Sequence, residues 1–165
     1  MASAALNPYA SYIANFDPRK VIADTPHALI RLEEQLGSEG LERSYAPGKW
    51  TAREILCHLA DVEIGFAFRL RQAFAEPHHV IQPFDQESWA RPYAQAGFNA
   101  RTAVQVFAAV RGWNLILLEA LPPETFSKPV THPERGVMTM ETIVQTMAGH
   151  DLNHLNQLQG IASQR

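Results

Sequence analysis

Apolar residues recur every three or four positions in four separate stretches of the chain, and this spacing predicts four helices. In the first stretch Thr25 can cap the helix, Pro26 suits the first helical position and Gly37 follows the last apolar residue. In the second stretch Thr51 and Glu54 have the spacing of a capping box. The predicted helices cover about residues 25–36, 51–74, 100–121 and 139–159.

The apolar stripe along each helix predicts which of its faces is buried. The predicted stripes are Leu29, Leu32 and Leu36 in the first helix; Ile55, His58 or Leu59, Val62, Phe66 and Leu70 in the second; Val106, Val110, Trp113, Leu117 and Leu121 in the third; and Ile143, Met147, His150, His154, Leu158 and Ile161 in the fourth. The fourth stripe is unusual because it includes two histidines.

Two long connections separate the later helices. Residues 77–98 contain three prolines and predict a crossover that holds one short helix. Residues 122–138 predict a loop, in which "HPERG" is a turn that can tip a small hairpin. The fold class is therefore all-α: a four-helix bundle with a long crossover connection, in one domain over residues 1–165. We expect the long helices to pack antiparallel, whereas their order around the bundle does not follow from these patterns.

Composition and charge narrow the choice of partners and compartment. The net charge of −3, without a basic cluster, argues against nucleic acid. No charge-free stretch approaches the ~20 apolar residues of a transmembrane helix, so we expect no membrane partner. The first residues lack the basic start of a signal peptide. Cys57 is the only cysteine, which excludes an intrachain disulfide and fits a reducing cytoplasm.

The segment "GHDLNHLNQL" (149–158) places His150 and His154 four residues apart on the apolar face of the fourth helix. Residues at this spacing lie about 6 Å apart on one helical face, so both imidazoles can reach one metal ion. A buried imidazole without a partner costs on the order of 1–3 kcal/mol. Two histidines at these positions therefore indicate a metal site that needs further ligands.

His58 supplies the third predicted ligand, because it lies on the inward stripe of the second helix, two turns after a well-defined cap. Three histidines leave coordination positions open for water or substrate, as catalytic sites require. In the alternative, His58 only bonds Glu54 or Asp61 on its own helix. The other histidines are expected at the surface: His27, His78, His79 and His132.

Other motif-based functions fit less well. "HDLNH" differs from the H-E-x-x-H of zinc proteases, and no His, Asp or Glu follows it as a third ligand. A di-iron bundle needs two Glu-x-x-His pairs, whereas Ile55 stands three residues before His58. Phosphate-binding, dinucleotide-binding and serine-hydrolase motifs are absent from the sequence.

Three segments together resemble the DinB-like superfamily, in particular its YfiT-like branch: "PGKWTAREILCHLADVE" (47–63), "IQPFDQESWA" (81–90) and "GHDLNHLNQL". The similarity covers roughly residues 25–160. It implies a homodimeric four-helix bundle with one divalent metal ion, often zinc or nickel, on His58, His150 and His154. Some members of this superfamily transfer low-molecular-weight thiols, and others have no assigned reaction.

The sequence leaves three functions open. The first is a thiol S-transferase, in which the metal activates a small-molecule thiol that attacks an apolar electrophile. The second is a metal-dependent hydrolase of a small ester or amide, for which Asp61 and Asp151 are the only carboxylates near the predicted ligands. The third is a metal-binding or ligand-binding bundle without catalytic activity. No catalytic residue other than the metal ligands is predicted.

Overall fold

The computed structural model describes residues 6–95 and 97–164, so the predicted domain limits at residues 1 and 165 lie outside it. The all-α prediction is confirmed: four long helices form a bundle, and shorter elements complete it. The helices are α1 (Ala10–Ile13), α2 (Pro18–Leu41), α3 (Ala52–Ala75), α4 (Gln86–Ala90), α5 (Ala100–Ala120) and α6 (Met140–Ala162), with 3₁₀ turns at Arg91–Ala94 and Pro123–Ser127 and strands β1 (Pro129–His132) and β2 (Gly136–Thr139).

Three long helices begin within one residue of their predicted starts, and a side chain caps each of them. Thr51 and Glu54 form the predicted capping box at the start of α3. Asn99 caps α5, and Thr139 caps α6. The caps at Thr51 and Thr139 fix where α3 and α6 begin, and these two helices carry the predicted metal ligands.

The predicted start of the first long helix is wrong. Helix α2 begins at Pro18 with Asp17 as its cap, and Pro26 lies inside the helix. A proline at this position leaves the carbonyl of Ile22 without its helical donor. Arg111 replaces that donor, with its guanidinium 2.9 Å from the Ile22 oxygen. At Gly37 the backbone has φ of 58°, so the helix kinks there before it resumes.

The crossover and the hairpin appear where the sequence predicted them. Helix α4 is the short helix of the crossover, and β1 pairs antiparallel with β2, with His132 opposite Gly136. The backbone of Thr131 also pairs with the crossover, through hydrogen bonds to His79 and Ile81. The hairpin therefore holds the crossover against the bundle.

The order of helices around the bundle is α2, α6, α3, α5, so α2 stands opposite α3 and α5 stands opposite α6, whereas the consecutive helices α3 and α5 are neighbours. The expected antiparallel packing is wrong for two neighbouring pairs. Arg19 of α2 pairs with Glu141 at the start of α6, and Arg43 just after α2 reaches Gln164 just after α6, so these helices run parallel. Helices α3 and α5 also run parallel, because the crossover returns the chain to the starting end.

The predicted buried face of the third long helix is wrong by about one position. Trp113, on the predicted stripe, has 64% of its surface exposed. The buried face of α5 instead includes two polar residues, and its members are Ala100, Ala103, Val104, Phe107, Arg111, Asn114 and Leu118. The apolar pattern failed here because Arg111 and Asn114 have polar partners inside the bundle.

The core consists of two apolar clusters with a polar layer between them. One cluster includes Ile55 and Leu158, and the other includes Phe66 and Met147. The buried polar residues of the layer are His58, Glu63, Arg111, Asn114, His150, Asp151 and His154. By length and composition alone α5 is apolar enough to cross a membrane, but its central Arg111 is fully buried against other helices of the bundle.

Candidate metal centre

Three histidines from two helices converge in the polar layer. His58 comes from α3, and His150 and His154 come from successive turns of α6. One nitrogen from each ring can be chosen so that all three nitrogens lie within 4.8 Å of one another, and all three side chains are buried. The structure thus brings together the three residues selected from the sequence, in a group that could hold a metal ion.

The spacing of the ring nitrogens suits a single divalent ion. The Nε2 atoms of His58 and His150 are 3.1 Å apart. Two nitrogens that each lie 2.0–2.1 Å from a tetrahedral zinc ion are separated by about 3.3 Å. The two rings therefore already have nearly the separation of two ligands on one ion.

Gln157 orients the third ring. Its side-chain oxygen, which only accepts hydrogen bonds, lies 2.8 Å from Nδ1 of His154, so Nδ1 carries the proton. The lone pair of His154 is then on Nε2, the nitrogen available to a metal ion. Such a partner on the outer nitrogen of a ligating histidine fixes the tautomer and the ring orientation. Gln157 therefore belongs to the candidate site, and the sequence reasoning did not select it.

Burial keeps the three imidazoles neutral. Desolvation, with a smaller contribution from the neighbouring His154, lowers the pKa of His58 to about 3. Desolvation also lowers the pKa of His150 and of His154. A neutral imidazole has the lone pair that a metal ion requires, so this set of donors suits a divalent cation at neutral pH.

The alternative partners of His58 are engaged elsewhere. Glu54 accepts a hydrogen bond from the backbone N–H of Thr51 in the capping box. Asp61 accepts a hydrogen bond of 2.6 Å from the hydroxyl of Tyr93. The ring of His58 instead contacts His150 of α6, with 3.1 Å between the Nε2 atoms, so the interpretation in which His58 bonds only its own helix is wrong.

Two of the four remaining histidines do not lie at the surface as expected. His27 and His78 are exposed, whereas His79 and His132 are buried. The crossover and hairpin cover both, because His79 and Thr131 pair through their backbones. A single sequence pattern does not reveal this contact between two separate loops.

A buried ionic network lies next to the three histidines. The guanidinium of Arg111 donates to the carboxylate of Glu63 at 2.9 and 2.7 Å, and to that of Asp151 at 2.6 and 3.2 Å. Asn114 donates a further bond of 2.7 Å to Glu63. Burial raises the pKa of Glu63, and the neighbouring Arg111 opposes that rise. Asp151 directly follows His150, so the network anchors the turn of α6 that carries this histidine.

Two cavities reach the histidines from different sides. The first, of about 280 Å³, extends from His154 between Trp50 and Glu87. The second, of about 350 Å³, extends from His150 towards the hairpin. Tyr9 and Gln86 line both cavities and so stand between them. The site is accessible although the histidines themselves are buried.

Tyr9 reaches this position because Gly149 has no side chain. A Cβ atom on Gly149 would lie 2.5 Å from the Cβ of Tyr9 and 2.6 Å from its carbonyl oxygen. The close approach sets the Tyr9 ring edge-on against the ring of His150, with centroids 5.4 Å apart. The sequence signal for this contact is a glycine in the middle of a helix, immediately before a predicted ligand.

The family model of the DinB superfamily matches residues 22–158. The chain therefore belongs to the DinB superfamily, as its resemblance to that family predicted. Membership of the DinB superfamily defines the class of this protein, and individual relatives and one solved structure show which known proteins of that class it is similar to.

Two relatives carry the name "Putative metal-dependent hydrolase". That of Oceanobacillus iheyensis is 28% identical over 144 residues, which are 87% of this chain and 83% of the relative. That of Bacillus mycoides is 28% identical over 134 residues, which are 81% of this chain and 76% of the relative. The names of these relatives are consistent with a metal-dependent enzyme and leave the reaction open.

The fold is similar to the solved structure of YfiT from Bacillus subtilis, with a TM-score of 0.80 at 22% sequence identity. The similarity covers 87% of this chain and 83% of YfiT. That structure is described as a "probable metal-dependent hydrolase with an unusual four-helix bundle topology". At this identity the comparison establishes the fold alone.

Proposed function

We propose that this protein is a metal-dependent enzyme that transfers a low-molecular-weight thiol to an electrophilic small molecule. In this proposal one divalent ion, zinc or nickel, binds to His58, His150 and His154. The observation that carries the proposal is the pair of cavities, one of which reaches His154 and the other His150. Two cavities of similar size provide separate places for a thiol and for its acceptor.

When bound, a divalent ion would lower the pKa of a coordinated thiol and so supply a nucleophile near neutral pH. The three imidazoles are neutral and do not offset the charge of the ion. In the reaction the thiolate sulfur forms a bond to the electrophilic carbon, and the bond from this carbon to its leaving group breaks. The leaving group departs with the electron pair, and the thiol proton is released to solvent.

The carboxylates near the histidines favour a thiol over water as the nucleophile. Hydrolysis benefits from a protein base that takes a proton from water. Asp61 is bonded to Tyr93, and Asp151 is bonded to Arg111, so both predicted candidates for this base are occupied. A metal-dependent hydrolase remains the second candidate function, and the names of the two relatives favour it.

Cys57 is not the thiol of this reaction. It lies in a separate cavity with Asp61 and Ile64, and burial raises its pKa to about 11. A thiol with this pKa is almost entirely protonated at neutral pH and is a poor nucleophile. The transferred thiol is therefore a separate molecule. A single buried cysteine also suits the reducing cytoplasm, where we propose that the protein works.

The test measures conjugation of monochlorobimane to small thiols, by the protein loaded with zinc or nickel and by the chelated protein. We expect a metal-dependent rate that rises with an apparent pKa below that of the free thiol. Hydrolysis of 4-nitrophenyl acetate forms a second arm. Metal-dependent hydrolysis without conjugation would favour the hydrolase, and equal rates with and without metal in both arms would favour a binding protein. Cys57→Ser is the control and should retain the activity.

We also propose that the protein is a homodimer that associates through the outer face of α3 and α5. This face carries exposed apolar side chains: Ile64, Phe68, Trp113 and Ile116 have exposed fractions of 49%, 60%, 64% and 58%. Exposed apolar patches on small proteins commonly mark interfaces. The parallel packing of α3 and α5 aligns these side chains along one side of the bundle.

A further inference from the structure

Two arginines line the cavity that extends from His150 towards the hairpin: Arg69 from α3 and Arg135 from the hairpin turn. We call it the arginine cavity and define it by Arg69, His132, Arg135, Phe66, Phe84 and His150. Its apolar walls include Val62, Phe66 and Phe84, and His150 of the candidate metal centre also lines it. The other cavity, which reaches His154, contains Lys49 and Glu87 in place of this pair of arginines.

Arg69 is held in place by its surroundings. Its guanidinium lies 5.2 Å from the centre of the Phe84 ring and 5.9 Å from that of the Phe66 ring. One N–H donates to the backbone oxygen of Gln82 at 3.1 Å. Burial and the charge of Arg135 both lower the pKa of Arg69. Its positive charge therefore lies in a partly desolvated position, close to a second positive charge.

Neither arginine has a carboxylate partner within ion-pairing distance among residues 6–95 and 97–164. Arg31, Arg71 and Arg91 also lack such a partner among these residues, so what distinguishes Arg69 and Arg135 is that both line one cavity. Two neighbouring guanidiniums without a counter-ion repel each other, and an anion between them removes this repulsion. Glu134 is the acidic residue of the lining, and its single charge does not offset both arginines.

His132 adds a third hydrogen-bond donor. Its Nδ1 accepts from the backbone N–H of Glu134 at 3.2 Å, so in the neutral ring the proton is on Nε2. Burial lowers the pKa of His132, and Arg135 and Arg69 lower it further, so the ring is neutral at pH 7. Glu134 also lines the cavity, and with the two arginines it gives the lining a formal net charge of +1.

We propose that the arginine cavity binds a carboxylate group of the substrate, with the apolar part of that substrate against Phe66 and Phe84. Guanidinium groups bind planar carboxylates through paired, charge-assisted hydrogen bonds. The net charge of +1 suits a monoanion better than a doubly charged phosphate. This assignment rests on the proposed function, because it makes the bound molecule one of the two reactants. It also replaces the expectation of an uncharged apolar electrophile with that of an apolar molecule that carries one carboxylate.

The test compares the binding of 4-phenylbutyrate with that of the uncharged 4-phenylbutyramide by calorimetry at pH 7.5. The metal-free protein is used, because a carboxylate could otherwise bind the ion itself. We expect the carboxylate to bind at least about tenfold more tightly than the amide. Arg69→Gln and Arg135→Gln should each remove most of this difference. Arg31→Gln is the matched control, since Arg31 is exposed on α2 and does not line the cavity.

Equal binding of the two compounds, or no binding of either, would overturn the proposal. A preference for the carboxylate that survives both substitutions would overturn it as well. If Arg69→Gln fails to fold, as judged by its thermal transition, Arg135→Gln decides, because Arg135 lies on the hairpin turn outside the bundle core. Binding to the metal-free protein requires no turnover, so this result is separate from the test of thiol transfer.

Discussion

Arg111 donates a hydrogen bond to the backbone oxygen of Ile22, the carbonyl that Pro26 deprives of its helical donor. The same guanidinium bonds Glu63 of α3 and Asp151 of α6, so one side chain of α5 connects all four long helices. Because Asp151 follows His150, the position of this predicted ligand depends on the same network. The polar layer of the bundle is thus a structural unit as well as a candidate site.

Arg111→Leu should strongly destabilise the fold. The substitution leaves Glu63 and Asp151 buried without their counter-charge and the Ile22 carbonyl without a donor. Loss of one partner from a buried ionic network costs about 3–5 kcal/mol in the free energy of unfolding. Urea denaturation measures this loss, and Arg31→Leu serves as an exposed control. A loss below about 1 kcal/mol would contradict the structural role of the network.

His150→Ala and His154→Ala should each reduce the metal content strongly, whereas the parent protein should hold about one ion per chain. The reason is that two remaining imidazoles form a much weaker site than three. Elemental analysis of the purified proteins measures the metal. His27→Ala is the control because His27 is exposed on α2. Full metal content in both the His150→Ala and the His154→Ala protein would mean that the ion binds elsewhere.

Removal of the metal by a chelator should leave the helices intact. Two apolar clusters flank the polar layer and bury enough surface to hold the bundle without an ion. We expect an unchanged far-ultraviolet circular dichroism spectrum and a lower melting temperature, because an ion that binds only the folded state stabilises it. A general loss of helix on chelation would show instead that the metal has a structural role.

The metal-free protein should lose stability as the pH falls from 6.5 to 5. In the unfolded chain a histidine takes up a proton near pH 6.5, whereas burial lowers the pKa of His58 in the folded protein to about 3. The unfolded state therefore binds more protons in this window, so the free energy of unfolding decreases with falling pH. Each such histidine contributes up to about 1.4 kcal/mol per pH unit.

Urea denaturation at several pH values between 5 and 6.5 measures this dependence. His58→Gln should reduce the slope because one titrating group is removed, and His27→Gln should leave it unchanged. An unchanged slope in His58→Gln would mean that His58 titrates normally in the folded protein.

Trp113→Glu should convert the proposed homodimer into a monomer with the same helical content. Trp113 is 64% exposed on the outer face of α5, and a charge there would be buried in the interface without a partner. Analytical ultracentrifugation of the parent and the variant measures the mass in solution. Lys20→Glu is a control because Lys20 is exposed on α2, away from this face. A monomeric parent protein would disprove the dimer.

The sequence alone predicted the four long helices, three of them with their starts, and the three central histidines. The caps at Thr51 and Thr139 are local signals, because a cap and its partner lie only three residues apart. The inward directions of His58 and His150 follow from the 3.6-residue period of a single helix. The fold class and the selection of the histidine triad therefore required no knowledge of contacts between distant segments.

Only the tertiary structure decided how these helices are arranged and what surrounds the histidines. Arg111 breaks the apolar pattern of its helix, and its burial is explained only by Glu63 and Asp151, which lie beside it. Arg69 and Arg135 are 66 positions apart in the sequence, and the fold of the hairpin onto the bundle places them in one cavity. Hydrophobic periodicity indicates which face of one helix is buried. Whether a buried polar side chain meets a partner on another helix depends on the order and the direction in which the helices pack.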